Sequence, residues 1–153
     1  MAKNFKKLYS NGFSLAELLV VIGIIVILVS FIISSFNKTG GSEALNISTI
    51  SVISVLNSVK SMAISSKDAS NYGVRIFSNK LVSFKNVYGT DNQETTLSNL
   101  VILNTSFGIG SDIIFSNVSG SPSQSGTISI TVLNDATKQN IITLYSTGLI
   151  EKN

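Results

Sequence analysis

The sequence predicts an α+β protein. A long hydrophobic N-terminal helix, interrupted near Gly40-Gly41, precedes an antiparallel β-sheet head that packs on the second half of the helix. Three observations carry this expectation. Phe13 to Ile33 is one apolar run containing a single charge, Glu17. Apolar positions between Leu45 and Ala63 recur at helical spacing. From Asn71 onward the period changes to two, with turn residues between short runs.

Phe13 to Ile33, 21 residues, would extend roughly 31 Å as a helix at about 1.5 Å per residue. A hydrocarbon bilayer core is about 30 Å thick. Lys3, Lys6 and Lys7 precede this run. Basic residues beside a spanning helix stay cytoplasmic, so the rest of the chain is expected on the other side of the membrane. A cleaved secretory signal fits poorly. Its apolar core would be shorter and would end on small residues, whereas this run ends on Phe31, Ile32 and Ile33. A plain anchor explains the length and leaves Glu17 unexplained. A carboxylate in lipid costs about 2.5–3.5 kcal/mol on insertion scales, so something must meet Glu17 in the final state.

Gly40-Gly41 follows. Each glycine weakens a helix by roughly 1 kcal/mol relative to Ala, which suggests a hinge over 37–41. Ser42 or Thr39 can cap the next helix, with Glu43 in its first turn. Leu45, Val52, Leu56, Val59 and Ala63 then fall on one face. The spacing predicts an amphipathic helix over 42–68 whose stripe is core.

The head should occupy 69–153. Tyr72, Val74 and Ile76 alternate with Gly73, Arg75 and Phe77. Ser78-Asn79 turns the chain, and Leu81 to Tyr88 reads as the partner strand. GTDNQETT, 89–96, reads as a polar loop. Leu100 to Leu103 and Asp112 to Phe115 are short strands, and VSGSPSQSG, 118–126, is a loop holding the single proline. Thr127 to Leu133 alternates, Asn134-Asp135 begins a turn, Ile141 to Tyr145 returns, and Leu149-Ile150 closes the chain after Thr147-Gly148. One sheet of about six or seven strands is expected.

Composition narrows function. The chain has 153 residues, 44% hydrophobic and 12% charged, with a mean hydropathy of +0.40. The charged share is about half the usual one. Few charges and many small polar residues suit a protein that works outside the cytoplasm or packs into an assembly. The net charge is +3, and without Lys3, Lys6 and Lys7 the basic and acidic residues balance. There is no Cys and no His. Disulfides, thiolate chemistry, the commonest general base and the commonest metal ligand are therefore missing. The serines have no histidine to activate them, so the protein is not expected to be an enzyme, and no cofactor or metal is expected. Asp91, Asn92 and Glu94 place three oxygen donors in one loop without EF-hand spacing. Asn46, Asn104 and Asn117 begin N-x-Ser patterns, which carry meaning only in a glycosylating host.

Lys6, Lys7, Gly12, Phe13, Ser14, Leu15, Glu17 and the run after them resemble the N-terminal signal of type IV pilins and type II secretion pseudopilins. The resemblance implies cleavage by a prepilin peptidase between Gly12 and Phe13, removing a basic leader, 1–12. It implies N-methylation of Phe13 and a role for Glu17 in assembly and register. Segment 13–36 would be the transmembrane and assembly helix, and the partners would be other pilin or pseudopilin subunits. The protein would lie in the cytoplasmic (inner) membrane with its head outside, then in a filament in the periplasm or at the cell surface. The chemistry agrees. Cleavage creates a cationic α-amine in apolar surroundings, and Glu17 of one subunit can neutralise that of a neighbour.

Met62-Ala63, Phe115, Gly120, Thr127 to Leu133 and Gly148-Leu149-Ile150 resemble the head of the GspH/FimT-like minor pilins and pseudopilins. Lys60 and Lys67 stand in place of an Ala-Arg pair common in that subgroup. Together the resemblances imply a structural minor subunit of a type II secretion pseudopilus or type IV pilus. The alternative is a DNA- or ligand-capturing minor pilin. From Lys67 onward, however, Lys67, Arg75, Lys80, Lys85, Lys138 and Lys152 are balanced by Asp68, Asp91, Glu94, Asp112, Asp135 and Glu151. A neutral head is a poor match for nucleic acid, which needs clustered cations.

Overall fold

The computed structural model describes residues 14–65, 70–89 and 91–153, with the side chains of all but 33–39. Lys3, Lys6, Lys7, Gly12 and Phe13, and also Lys67 and Asp68, lie outside the described residues. The chain divides into two compact units between Lys38 and Thr39.

The helix α1, Leu15–Ser65, is 51 residues long. It runs through Gly40 and Gly41, where the sequence suggested an interruption, and the boundary between the two units lies beside them. Tertiary contact opposes the weak helix propensity of the second glycine. Gly41 is buried, and a Cβ there would stand 3.1 Å from Val132 Cγ1. The missing side chain lets α1 approach the sheet closely.

Among the described residues the head carries eight strands: β1 (Tyr72–Ile76), β2 (Lys80–Lys85), β3 (Gln93–Thr96), β4 (Val101–Thr105), β5 (Asp112–Phe115), β6 (Gly126–Val132), β7 (Asp135–Leu144) and β8 (Ile150–Lys152). They form two antiparallel sheets of four, ordered β3-β2-β1-β5 and β4-β6-β7-β8, rather than one. The split follows from the connections. The β1–β2 hairpin recruits β5 to its other edge, while β4 pairs with β6. Leu103 N–H donates to Ser78 O at 2.8 Å, a link between the two sheets at the hairpin turn.

One aliphatic core unites helix and sheets. Leu45, Val52, Leu56, Val59 and Ala63 are all buried, as their spacing predicts. They meet Val74, Ile76, Leu81, Ile113 and Phe115 of the first sheet and Leu103, Ile128, Ile130, Ile142 and Leu144 of the second. The helix also buries Ser48 and Thr49. Thr49 donates to Leu45 O at 2.7 Å and accepts from Asn140 Nδ2 at 2.9 Å, so its hydroxyl is satisfied across the helix–sheet contact.

Two strand expectations need correction. The polar loop 89–96 contains β3, because Gln93 and Thr95 pair in register with Ser83 and Leu81. Pairing overrides weak strand propensity where a neighbouring edge is open. β7 begins at Asp135, six residues before the expected strand, with a register shift at Thr131/Val132 accommodating the tight hairpin.

Candidate functional site

At the start of α1, Leu18 N–H donates to Ser14 O at 3.1 Å. Glu17 lies in this first turn and is exposed. A carboxylate there faces the positive end of the helix dipole, worth about 0.3–1 kcal/mol. Capping thus accounts for a small part of its presence and offsets little of the cost of placing it in lipid.

From Leu15 to Ile32 the helix is long and apolar enough to cross a membrane, and it is exposed throughout. Every large aliphatic in it is exposed, from Val21 at 45% to Leu15 at 77%. Ser30 returns its hydroxyl to Val26 O at 2.8 Å, so that hydroxyl adds no unsatisfied polarity to the stretch. A helix that is apolar on all sides suits lipid, other helices, or both. Gly40–Ser65 passes the same length and composition test, but its buried stripe identifies it as the core helix of the head.

The head carries a different kind of order. Phe84 lies over Gly73 on the face of the first sheet away from α1, and the Phe84 ring meets Tyr88 edge-on at 6.0 Å. Tyr88 in turn covers the Arg75 guanidinium at 3.7 Å. Arg75 holds Asp112 through a two-point ion pair, Nε–Oδ1 at 2.6 Å and Nη2–Oδ2 at 2.8 Å. The Asp112 carboxylate keeps the guanidinium above its usual pKa.

In the loop after β2, two of the three oxygen donors named from the sequence are engaged locally. Both Glu94 oxygens take Lys80 Nζ, at 3.0 and 3.1 Å, and Asn92 Oδ1 takes Gly89 N–H at 3.0 Å. Among the described residues no three His, Cys, Asp or Glu side chains converge as a metal would need. Arg75 faces Asp112, Lys80 faces Glu94, and Lys138 lies 3.7 Å from Asp135. Three of the head's cations are thus each matched with an acid, which leaves them poor phosphate ligands. The Arg75–Tyr88 stack gave no sequence signal, because Tyr88 reaches Arg75 only when the chain after β2 folds back.

Comparison with protein-family models and with curated proteins gives no match. Solved structures do match. The minor pseudopilin EpsH from the type 2 secretion system of Vibrio cholerae is 21% identical, with a TM-score of 0.58, over 71% of this chain and 95% of that one. The type IV minor pilin FimU of Pseudomonas aeruginosa is 12% identical, with a TM-score of 0.55, over 75% of this chain and 91% of that one. The fold is that of the minor pilins and pseudopilins. A second EpsH structure agrees, at 19% identity and a TM-score of 0.56.

Proposed function

We propose that this chain is a structural, minor pilin or pseudopilin subunit rather than an enzyme. It is inserted in the cytoplasmic membrane with its head outside. A prepilin peptidase cuts between Gly12 and Phe13, Phe13 is N-methylated, and the helix then packs among neighbouring subunits of a type II secretion pseudopilus or type IV pilus. The observation that carries this reading is the wholly exposed apolar helix with Glu17 in its first turn, joined to a head of the pilin fold.

The physical logic runs through Glu17. In lipid alone the carboxylate is costly. A neighbour's Phe13 amine, freed by cleavage, supplies the opposite charge in a low-dielectric setting, where removal of either partner strands the other. The pair therefore acts as a register mark along an otherwise uniform apolar surface. Lys3, Lys6 and Lys7 hold the leader on the cytoplasmic side until it is removed.

The test is the intact mass of the protein recovered from host membranes. A chain beginning at Phe13, with an added methyl, supports the reading. Retention of residues 1–12 in cells with an active prepilin peptidase overturns it.

A further inference from the structure

β3 ends its sheet, and its outer edge has a definite composition. Phe77 N–H donates to Lys80 O at 2.8 Å, so the main-chain groups of Lys80 point toward β1. Antiparallel alternation then turns those of Leu81 and Ser83 toward β3, where they face Thr95 and Gln93. Leu97 N–H donating to Asn79 O at 2.9 Å continues the alternation. The N–H and C=O groups of Glu94 and Thr96 therefore point away from the sheet. Among the described residues no strand pairs with that edge.

Beside this edge the sheet and α1 do not close on each other. Two adjoining cavities, of about 170 and 190 Å³, share Met62, Ser83 and Gln93. Under β1 the inward side chains Val74 and Ile76 are fully buried, as is Leu81 under β2. Farther along β2 and out to β3 the lining turns to Ser83, Gln93 and Thr95, and α1 presents Ser54 and Ser58 beside them. Short hydroxyl side chains leave a slot between the free strand edge and the helix, lined also by the aliphatic Val55, Val59 and Met62.

We propose that this slot receives an extended segment of a neighbouring subunit, added to β3 as a fifth strand. Main-chain hydrogen bonds to Glu94 and Thr96 would hold it, and alternate side chains would enter the slot. Serine, threonine and small aliphatic residues fit those inward positions; large rings do not. A strand laid along a four-residue edge buries far less than the roughly 800 Å² per partner of a stable standalone interface. The occupant is therefore a segment of a partner already held elsewhere, by packing of its helix against Leu15–Ile32. In this respect the inference rests on the proposed role as an assembly subunit.

The test is amide hydrogen exchange on the full chain, alone in detergent micelles and after assembly in its host. Exchange at Glu94 and Thr96 is expected to slow by about tenfold or more on assembly. Thr96→Pro removes an outward N–H without touching the β2 ladder, and Ser58→Trp fills the slot from the helix. Both should abolish protection at Glu94 while Leu15–Ile32 stays protected. Assembly with Leu15–Ile32 protected and the β3 amides unchanged overturns this inference and leaves the subunit reading standing. A chain that never enters an assembly overturns both.

Discussion

Gly73→Ala gives a sharp test of the head's outer packing, because two effects of opposite sign compete. Gly→Ala in a strand ordinarily stabilises by about 0.4–1 kcal/mol, through lost freedom in the unfolded chain. Here the added methyl would fall 2.7 Å from Phe84 Cε2 and 3.1 Å from Ile113 O. The carbonyl belongs to the neighbouring strand and cannot retreat without breaking the ladder. Phe84 is 3% exposed, and moving it disturbs Tyr88 and, through Tyr88, the cover on Arg75. Overpacking of this kind costs about 1–3 kcal/mol. At the midpoints of these ranges, about 2 and about 0.7 kcal/mol, the overpacking term wins, for a net loss of roughly 1.3 kcal/mol. At about 4 °C per kcal/mol, the head's melting temperature should fall by about 5 °C. Thermal unfolding of the full chain in micelles, followed by circular dichroism, reads this directly. Gly73→Ala combined with Phe84→Leu should relieve the contact with the ring but not the contact with the Ile113 carbonyl, so recovery is expected to be partial. An unchanged or raised melting temperature in the single variant would refute the packing argument.

Three further outcomes are expected. Glu17→Ala should leave the head's melting temperature unchanged, because Glu17 is exposed in the first turn of α1, yet prevent incorporation into filaments, scored by quantifying the chain in sheared fractions; normal incorporation would remove Glu17 from the assembly role. Lys60→Met should cost about 1–2 kcal/mol, because the ammonium donates to Gly148 O at 2.7 Å and holds the β7–β8 turn against α1; faster amide exchange near Ile150 is the local readout. Asp135 titrates below the usual carboxylate range, first because the Thr137 hydroxyl donates to Oδ1. A depressed folded pKa means that this contribution is present above the unfolded carboxylate pKa and is lost as pH falls through the folded value; Thr137→Val should move the titration upward, seen in the carboxyl carbon shift by NMR.

The elements were legible where one face decides burial. The stripe from Leu45 to Ala63 had to be a core face, because five apolar residues at helical spacing can be satisfied together only against another layer. The alternation in 72–76 and 127–133 was equally plain, and β5 falls on Asp112–Phe115 as expected. β3 was not legible. QETT has no apolar alternation, and only the open edge of β2 makes it a strand. The division into two sheets was hidden for a related reason. Alternation reveals which face of a strand is buried, and it does not reveal which neighbour the strand takes.

The candidate site divides in the same way. Glu17 stood out because a charge in an apolar run violates a local rule, and local violations are visible in one dimension. The slot beside β3 stayed invisible, since it is made of what is missing: Ser54, Ser58 and Ser83 are ordinary serines until helix and sheet are laid together.

By itself the sequence determined the apolar helix, the charge at its start, the core stripe and the absence of histidine and cysteine chemistry. These follow from composition and period, which need no partner. Tertiary structure alone decided that α1 runs through Gly40-Gly41, that the strands form two sheets, and that Phe84, Tyr88 and Arg75 stack over Gly73. Each of these depends on contacts between residues distant in the chain, and a one-dimensional pattern does not encode which distant neighbour arrives.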